Sequence, residues 1–211
     1  MYIPDHFREI NPDQIAAVIE AAPLACIVAN TDQGLIANHI PLLAGPDGVL
    51  IGHVALGNDM HRLLATDQEV LVIFRGAEGY VSPNYYPTKA EHHRHVPTWN
   101  YQVVHIKGTI AFQHDIAAKR RAVGLLTRQH ERRVNGDAAW KMADAPRDYL
   151  DAMLENIVAF QVTVQTVLAK SKLSQNRADV DHAGAVAGLH RAGRDGLAQT
   201  MADMRPKPDT P

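Results

Sequence analysis

The chain has 211 residues, a hydrophobic fraction of 46% and a formal net charge of −2. That is enough apolar material for the core of one domain, or of one domain with a small appendage. The charge gives no overall pull toward nucleic acid or an anionic membrane, and no apolar run approaches the ~20 residues of a membrane span. The opening "MYIPDHFREI" has early charges and no apolar h-region, so no secretory signal is expected. Cys26 is the single cysteine and lies inside "LACIVA". It reads as a buried structural thiol in a reduced, cytoplasmic setting.

The first element is a helix. Asn11 precedes Pro12, with Gln14 as a box-like partner, and Ile15, Val18, Ile19 and Ala22 recur at helical spacing until Pro23. Strand-like segments follow: "LACIVAN", "LIANHIPLLA", "VLIGHVA" and "EVLVIFRG". The turns "TDQG" and "GPDG" separate the first three. Between the third and fourth, "NDMHRLLA" reads as a short helix with Asn58 as its cap. A second β region runs through "EGYVSP" and then a long strand ending at Phe112.

Residues 115 to about 133 return to helical spacing, with Ile116, Val123 and Leu126 on one side, and a shorter helix is expected near 146–154. "IVAFQVTVQTVLAK" alternates as a strand with Val158, Phe160, Val162 and Val164 inward. After "SKLSQNR", residues 179–204 are Ala-rich and read as helix interrupted by glycines, and "RPKPDTP" reads as disordered. Six or so short strands at hairpin spacing with peripheral helices predict a mainly β protein built on a small antiparallel barrel.

In "HVPTWNYQVVHIKG", Val104, Ile106, Ile110 and Phe112 share one strand face, and His105, Lys107 and Thr109 the other. Alternation alone leaves unexplained why Trp99, Asn100 and Tyr101 crowd the start of the strand. Together with "MYIPDHF", "ANHIPLL", "IGHVALGN", "GYVSPNYY" and "KSKLSQNR", in that order, this stretch resembles the PaiB family of FMN-binding negative transcriptional regulators. The resemblance runs from Met1 to about Met204. It implies a split β-barrel related to the pyridoxamine-phosphate oxidases and flavin reductases. Residues 1–170 would form the split-barrel domain with its peripheral helices. Residues 171–211 would form an interface loop, a helical C-terminal segment and a disordered tail. The resemblance further implies a cytoplasmic homodimer with FMN at the interface.

Under that resemblance the flavin phosphate needs backbone N–H groups at a helix start and a cation. "GHVALGNDMHRLL" offers His53, Asn58, His61 and Arg62, and the preceding strand adds Asn38, His39 and Ile40. Trp99, Asn100 and Tyr101 would flank the isoalloxazine, with Lys172, Gln175 and Asn176 closing the slot.

Simpler roles stand beside each of these. Trp99 and Tyr101 can plug a barrel end, Asn58 can be only a cap, and "KSKLSQNR" can be a polar linker. His92, His93 and His95 in "EHHRH" suggest a metal, but no cysteine or spaced carboxylate accompanies them, and a solvated or interface loop is the default. Lys119, Arg120, Arg121, Arg128, Arg132 and Arg133 form a basic helix that would suit DNA. No helix-turn-helix pattern supports that use, and a solvated face is the alternative. No covalent-catalysis motif is visible, so no catalytic residue is named. Besides the regulator, the sequence leaves open a flavin-dependent oxidoreductase or flavin reductase, and a haem-binding split-barrel protein.

Overall fold

The computed structural model describes residues 1–205. All of "RPKPDTP" after Arg205, expected to be disordered, lies outside the described residues. The strands are β1 (Arg8–Glu9), β2 (Leu24–Thr31), β3 (Gly34–Pro41), β4 (Leu43–Ala44), β5 (Val49–Ala55), β6 (Gln68–Val81), β7 (Thr98–Gln113) and β8 (Ile157–Lys172). The helices are α1 (Pro12–Ala21), α2 (Met60–Leu63), α3 (Lys89–His92), α4 (Ile116–Asn135), α5 (Arg147–Glu155), α6 (Asp179–Arg191) and α7 (Asp195–Asp203). The strands form one sheet in the order β3-β2-β6-β7-β8-β5-β4, with β1 paired antiparallel to β8.

Two compact units share this chain. The first takes residues Met1–Ala21, Arg75–Val104 and those from Leu168 onward; the second takes Ala22–Phe74 and His105–Val167. The second unit is an alternating-pattern sheet with an aliphatic and aromatic interior. β2 pairs with β3 through "TDQG", and β5 pairs with β8 so that Gly52 faces Phe160 and His53 faces Ala159. Val70, Val72, Phe74, Ile106, Ile110, Val158 and Phe160 are at most 2% exposed. Asp115 starts α4 by accepting the Ala118 N–H at 2.8 Å. On this helix the buried side chains are Lys119, Ala122 and Leu126, whereas Ile116 is 48% exposed. Leu126 is buried as expected, whereas Ala122 and Lys119 take the inward places expected of Val123 and Ile116, the isoleucine lying in the first turn.

The first unit packs α6 and α7 with Val81, Tyr86 and Leu173 around Leu189, Leu197 and Met201. Two expectations change here. "EVLVIFRG" and the first four residues of "EGYVSP" belong to a single 14-residue strand, β6, which ends at Val81. Its Gly76 does not turn the chain. A side chain there would press on Val18 and Gln102, so the glycine permits close approach within a continuing strand. Likewise Gly184 and Gly188 do not interrupt the C-terminal helix. A Cβ at Gly188 would lie 2.3 Å from the Tyr85 ring, and one at Gly184 would lie 2.4 Å from the Tyr85 carbonyl oxygen. The break between α6 and α7 falls instead at Gly193, whose φ of +68° suits glycine.

Gly188→Ala is accordingly expected to destabilise the protein by about 2 kcal/mol or more through overpacking. Gly196→Ala, in α7 with nothing within 4 Å of its added methyl, should stabilise it by up to about 1 kcal/mol through helix propensity. Thermal unfolding of the two variants checks both signs.

Candidate functional site

In the second unit the loop after β5 gathers four of the expected residues. Asn58 donates from Nδ2 to Asn38 Oδ1 at 2.9 Å, and its own Oδ1 accepts the Met60 N–H at 2.9 Å. The Asn58 N–H closes the turn onto the Ala55 carbonyl. His61 Nε2 lies 3.0 Å from the Leu56 carbonyl oxygen, and Arg62 donates to the same oxygen at 3.3 Å while pairing with Asp59. The His61 ring meets Phe112 and His114 edge-on, with centroids at 6.2 and 5.7 Å. A Cβ at Gly57 would meet nothing within 4 Å, so this loop leaves open space for a group approaching its backbone.

The expected helix start is weaker than the sequence suggests. α2 is one turn of four residues, and Asn58 precedes its cap, Asp59. A helix this short sums few peptide dipoles. An anion here depends on His61, Arg62 and open backbone, and it must share Arg62 with Asp59. Asn38 and Ile40 lie on the inward face of β3, and His39 is exposed on the other face. His53 is half-buried, its Nδ1 has no partner among the described residues, and burial lowers its pKa.

The remaining expected residues lie in the first unit, on β7 and the end of β8. Strand alternation divides the aromatic group. Asn100 is 1% exposed, whereas Trp99 is 55% exposed and meets Tyr80 edge-to-face at 6.3 Å. Asn100 therefore points away from any surface that Trp99 presents. It donates to Ser174 Oγ at 2.9 Å and touches Met201 Sδ at 3.3 Å. Tyr101 lies under the ammonium of Lys170, 5.2 Å from its ring centroid. Lys172 donates to the Thr98 hydroxyl and the Trp99 carbonyl, and burial first, then the charges of Lys170 and Arg177, lower its pKa. Gln175 is engaged within its own turn, accepting the Leu173 N–H at 2.8 Å and donating to the Ser171 carbonyl at 2.6 Å. Asn176 is exposed. Ser174, between them, holds a φ of +63°, a backbone region that costs a non-glycine residue energy.

A polar cluster that the sequence did not reveal lies beside this turn. Thr88 donates its hydroxyl to Asp181 Oδ2 at 2.7 Å and its N–H to Oδ1 at 3.1 Å. Its Oγ1 is 2.8 Å from His95 Nε2, and Arg177 Nη1 reaches His95 Nδ1 at 3.5 Å. The side chains of His95 and Asp181 are each 5% exposed. "EHHRH" thus splits: His92 and His93 are exposed, while His95 turns inward. The Tyr86 ring lies against both His95 and the Arg177 guanidinium, with its hydroxyl buried and unpartnered among the described residues. Only the long separation of Thr88 and Asp181, 93 residues apart, kept this cluster out of view. Local spacing carries no trace of it.

The basic helix is also divided. Lys119 is buried, Arg120 is paired with Asp151, and Arg128 and Arg132 face solvent.

Comparison with known proteins gives this arrangement a family. Residues 1–166 match the family model described as "Putative FMN-binding domain". The chain belongs to that family. It is similar to "Protease synthase and sporulation protein PAI 2" of Bacillus subtilis, 31% identical over 209 residues, 97% of this chain and 96% of the relative. The fold is the mainly β split barrel of the pyridoxamine-phosphate-oxidase type. A Mycobacterium smegmatis FAD and haem binding protein superposes with a TM-score of 0.60, at 18% identity over 82% of this chain and 78% of that one. The flavocytochrome Anf3 of Azotobacter vinelandii gives 0.57 at 12% identity, over 81% and 72%. Among the described residues, no helix of this family member is long and apolar enough to cross a membrane.

Burial raises the Asp181 pKa, but the hydrogen bonds from Thr88 and the neighbouring His95 and Arg177 outweigh it and hold the carboxyl below the usual carboxylate range. A depressed folded-state pKa adds stability above the unfolded value, roughly pH 4, which is lost as pH falls through the folded value. Asp181→Asn should cost about 3 kcal/mol near neutrality and remove this share of the acid sensitivity. Urea unfolding midpoints between pH 3 and 7 check it.

Proposed function

We propose that this protein binds FMN and acts as a PaiB-like negative transcriptional regulator. The observation that carries the proposal is the family match over residues 1–166, supported by near full-length similarity to the PAI 2 protein. In this reading His61, Arg62 and the open backbone at Gly57 take the phosphate, with Asn38 and Asn58 fixing the loop. The unpartnered Nδ1 of His53 and the exposed His39 provide further polar groups. In the first unit, Trp99, Tyr101 and Lys172 serve the isoalloxazine of the FMN held by a second chain, and Asn100 acts from behind by holding Ser174. When bound, FMN supplies a redox-active ring. The residues named bind and orient it.

We also propose a cytoplasmic homodimer in which each FMN touches both chains, with the Lys172–Asn176 segment reaching the flavin of the second chain. Most ligand sites bury roughly 70–90% of their ligand, and a two-fold axis would build two equal sites. Gln175 is tied into its own turn, so its contribution is to shape that turn, and Asn176 is the freer side chain.

A flavin-dependent oxidoreductase or flavin reductase is the second reading. It is favoured by the division of the basic helix, since Lys119 is buried and Arg120 is shared with Asp151. Purified protein should be yellow, with a flavin spectrum released on denaturation. Colourless protein that does not take up micromolar FMN refutes the cofactor, and a Soret band on haem titration would replace it with haem. A gel shift on upstream DNA supports the regulator, whereas reduction of bound FMN by NADH or NADPH with turnover onto an acceptor supports the enzyme.

Two variants test the site itself. Arg62→Ala should weaken FMN binding by roughly 1–3 kcal/mol and leave riboflavin binding unchanged, because only the phosphate is lost from its reach. Gln175→Ala with Asn176→Ala should lower FMN affinity while the protein stays folded. Fluorescence titration with both flavins and light scattering of the dimer read these outcomes, and a stable monomer with wild-type FMN affinity would exclude the shared site.

A further inference from the structure

The second unit contains a cleft beside the basic helix α4. Residues of the 124–142 stretch line a space of about 500 Å³ where the C-terminal half of α4 meets the loop after it. The cleft is built by specific contacts. Glu131 accepts the Trp140 N–H at 3.0 Å and an amide hydrogen of Asn135 at 2.8 Å, bonds that lower its pKa. These bonds hold the loop against its own helix and fix where the indole sits. Gly136, at a φ of +54°, turns the chain while its N–H closes onto the Arg132 carbonyl. Gly124 lets Met142 approach: an added Cβ would lie 3.3 Å from the Met142 sulfur.

Into this cleft come Arg128, Arg132 and Lys141, with Trp140 left 42% exposed. Arg120 on the same helix is satisfied by Asp151, but among the described residues Arg128 and Arg132 have no ion pair. Asp137 is the one carboxylate among the lining residues, and the carbonyl end of α4 is mildly unfavourable to an anion. Three cations outweigh both. Guanidinium groups match phosphate oxygens in forked pairs, and an indole face takes a planar ring by stacking. The volume falls within the range of ligand sites, roughly 300–1,000 Å³. All its walls come from one short stretch, which suits a small ligand better than the successive contacts of a polymer.

We propose that this cleft binds an aromatic phosphate of the nucleotide class, with the phosphates on Arg128, Arg132 and Lys141 and the base against Trp140. It is a second site, independent of the flavin. Calorimetric titration of ATP and GTP into the full-length protein, with and without excess FMN, tests it. Saturable binding of at least one nucleotide in both conditions is expected, with adenosine and inorganic triphosphate each roughly tenfold weaker or worse. Arg128→Ala with Arg132→Ala should lower affinity by about tenfold or more. Trp140→Ala should do the same, whereas Trp140→Phe should stay within about threefold because it still stacks.

No saturable uptake of either nucleotide below about 1 mM overturns the proposal. So does displacement of the nucleotide by FMN, which would make the cleft a flavin site. Arginine-dependent binding of duplex DNA without nucleotide binding also overturns it and assigns the face to nucleic acid.

Discussion

A β-strand offers each residue one of two faces, and β6, β7 and β8 impose that choice over 14, 16 and 16 residues. Once Val104, Ile106 and Ile110 go inward, parity sends Asn100 and Gln102 inward with them and leaves Trp99 in solvent. Two amides are thereby committed to an interior, where an unpaired polar group costs about 1–3 kcal/mol. Asn100 and Gln102 donate from their amide nitrogens to Ser174 and Ser171, which ties the end of β8 and the turn after it to β7, while Asn100 Oδ1 has no partner among the described residues. Both amides also touch methionine sulfurs, Met201 and Met204, at 3.3 Å. The C-terminal helix is thus seated on a polar floor as well as an apolar one.

The same unit shows why its helix α6 is rich in small residues. Gly184 and Gly188 bring the helix backbone against Tyr85 and Pro87, and the Asp181 carboxylate one turn earlier accepts from Thr88. Close backbone approach and a buried anion act on one loop. The loop is therefore fixed by shape and by hydrogen bonding together, and His95, Arg177 and Tyr86 fill the space that remains.

Much of this was legible in the sequence. The alternation in "IVAFQV" and "VVHIKGTI", the turns "TDQG" and "GPDG", and the helical spacing from residue 115 carry local signals with short range, and each element appears. The six motifs pointed to the family because they preserve order over most of the chain. What stayed hidden depends on distance. Asn58 looks like a helix cap until Asn38, twenty residues away, is seen to be its partner. The glycines of β6 and α6 read as breaks because sequence cannot show the side chains that lie against them. Trp99, Asn100 and Tyr101 read as one group because adjacency in sequence hides the strand's alternation, and His95 reads with His92 for the same reason.

The division of the chain bears on how it is synthesised. The second unit has all its segments once residue 167 has emerged, whereas the first needs residues 1–21, 75–104 and those from Leu168 onward. Translation therefore releases one unit complete while the other still waits for its closing segment. During that interval Thr88 lacks its Asp181 carboxylate, and Asn100 and Gln102 lack Ser174 and Ser171, because those residues have not been made. Contacts of such long sequence separation form slowly, and exposed strand surface in the meantime is prone to association. The nascent first unit is the part of this protein with most reason to meet a chaperone.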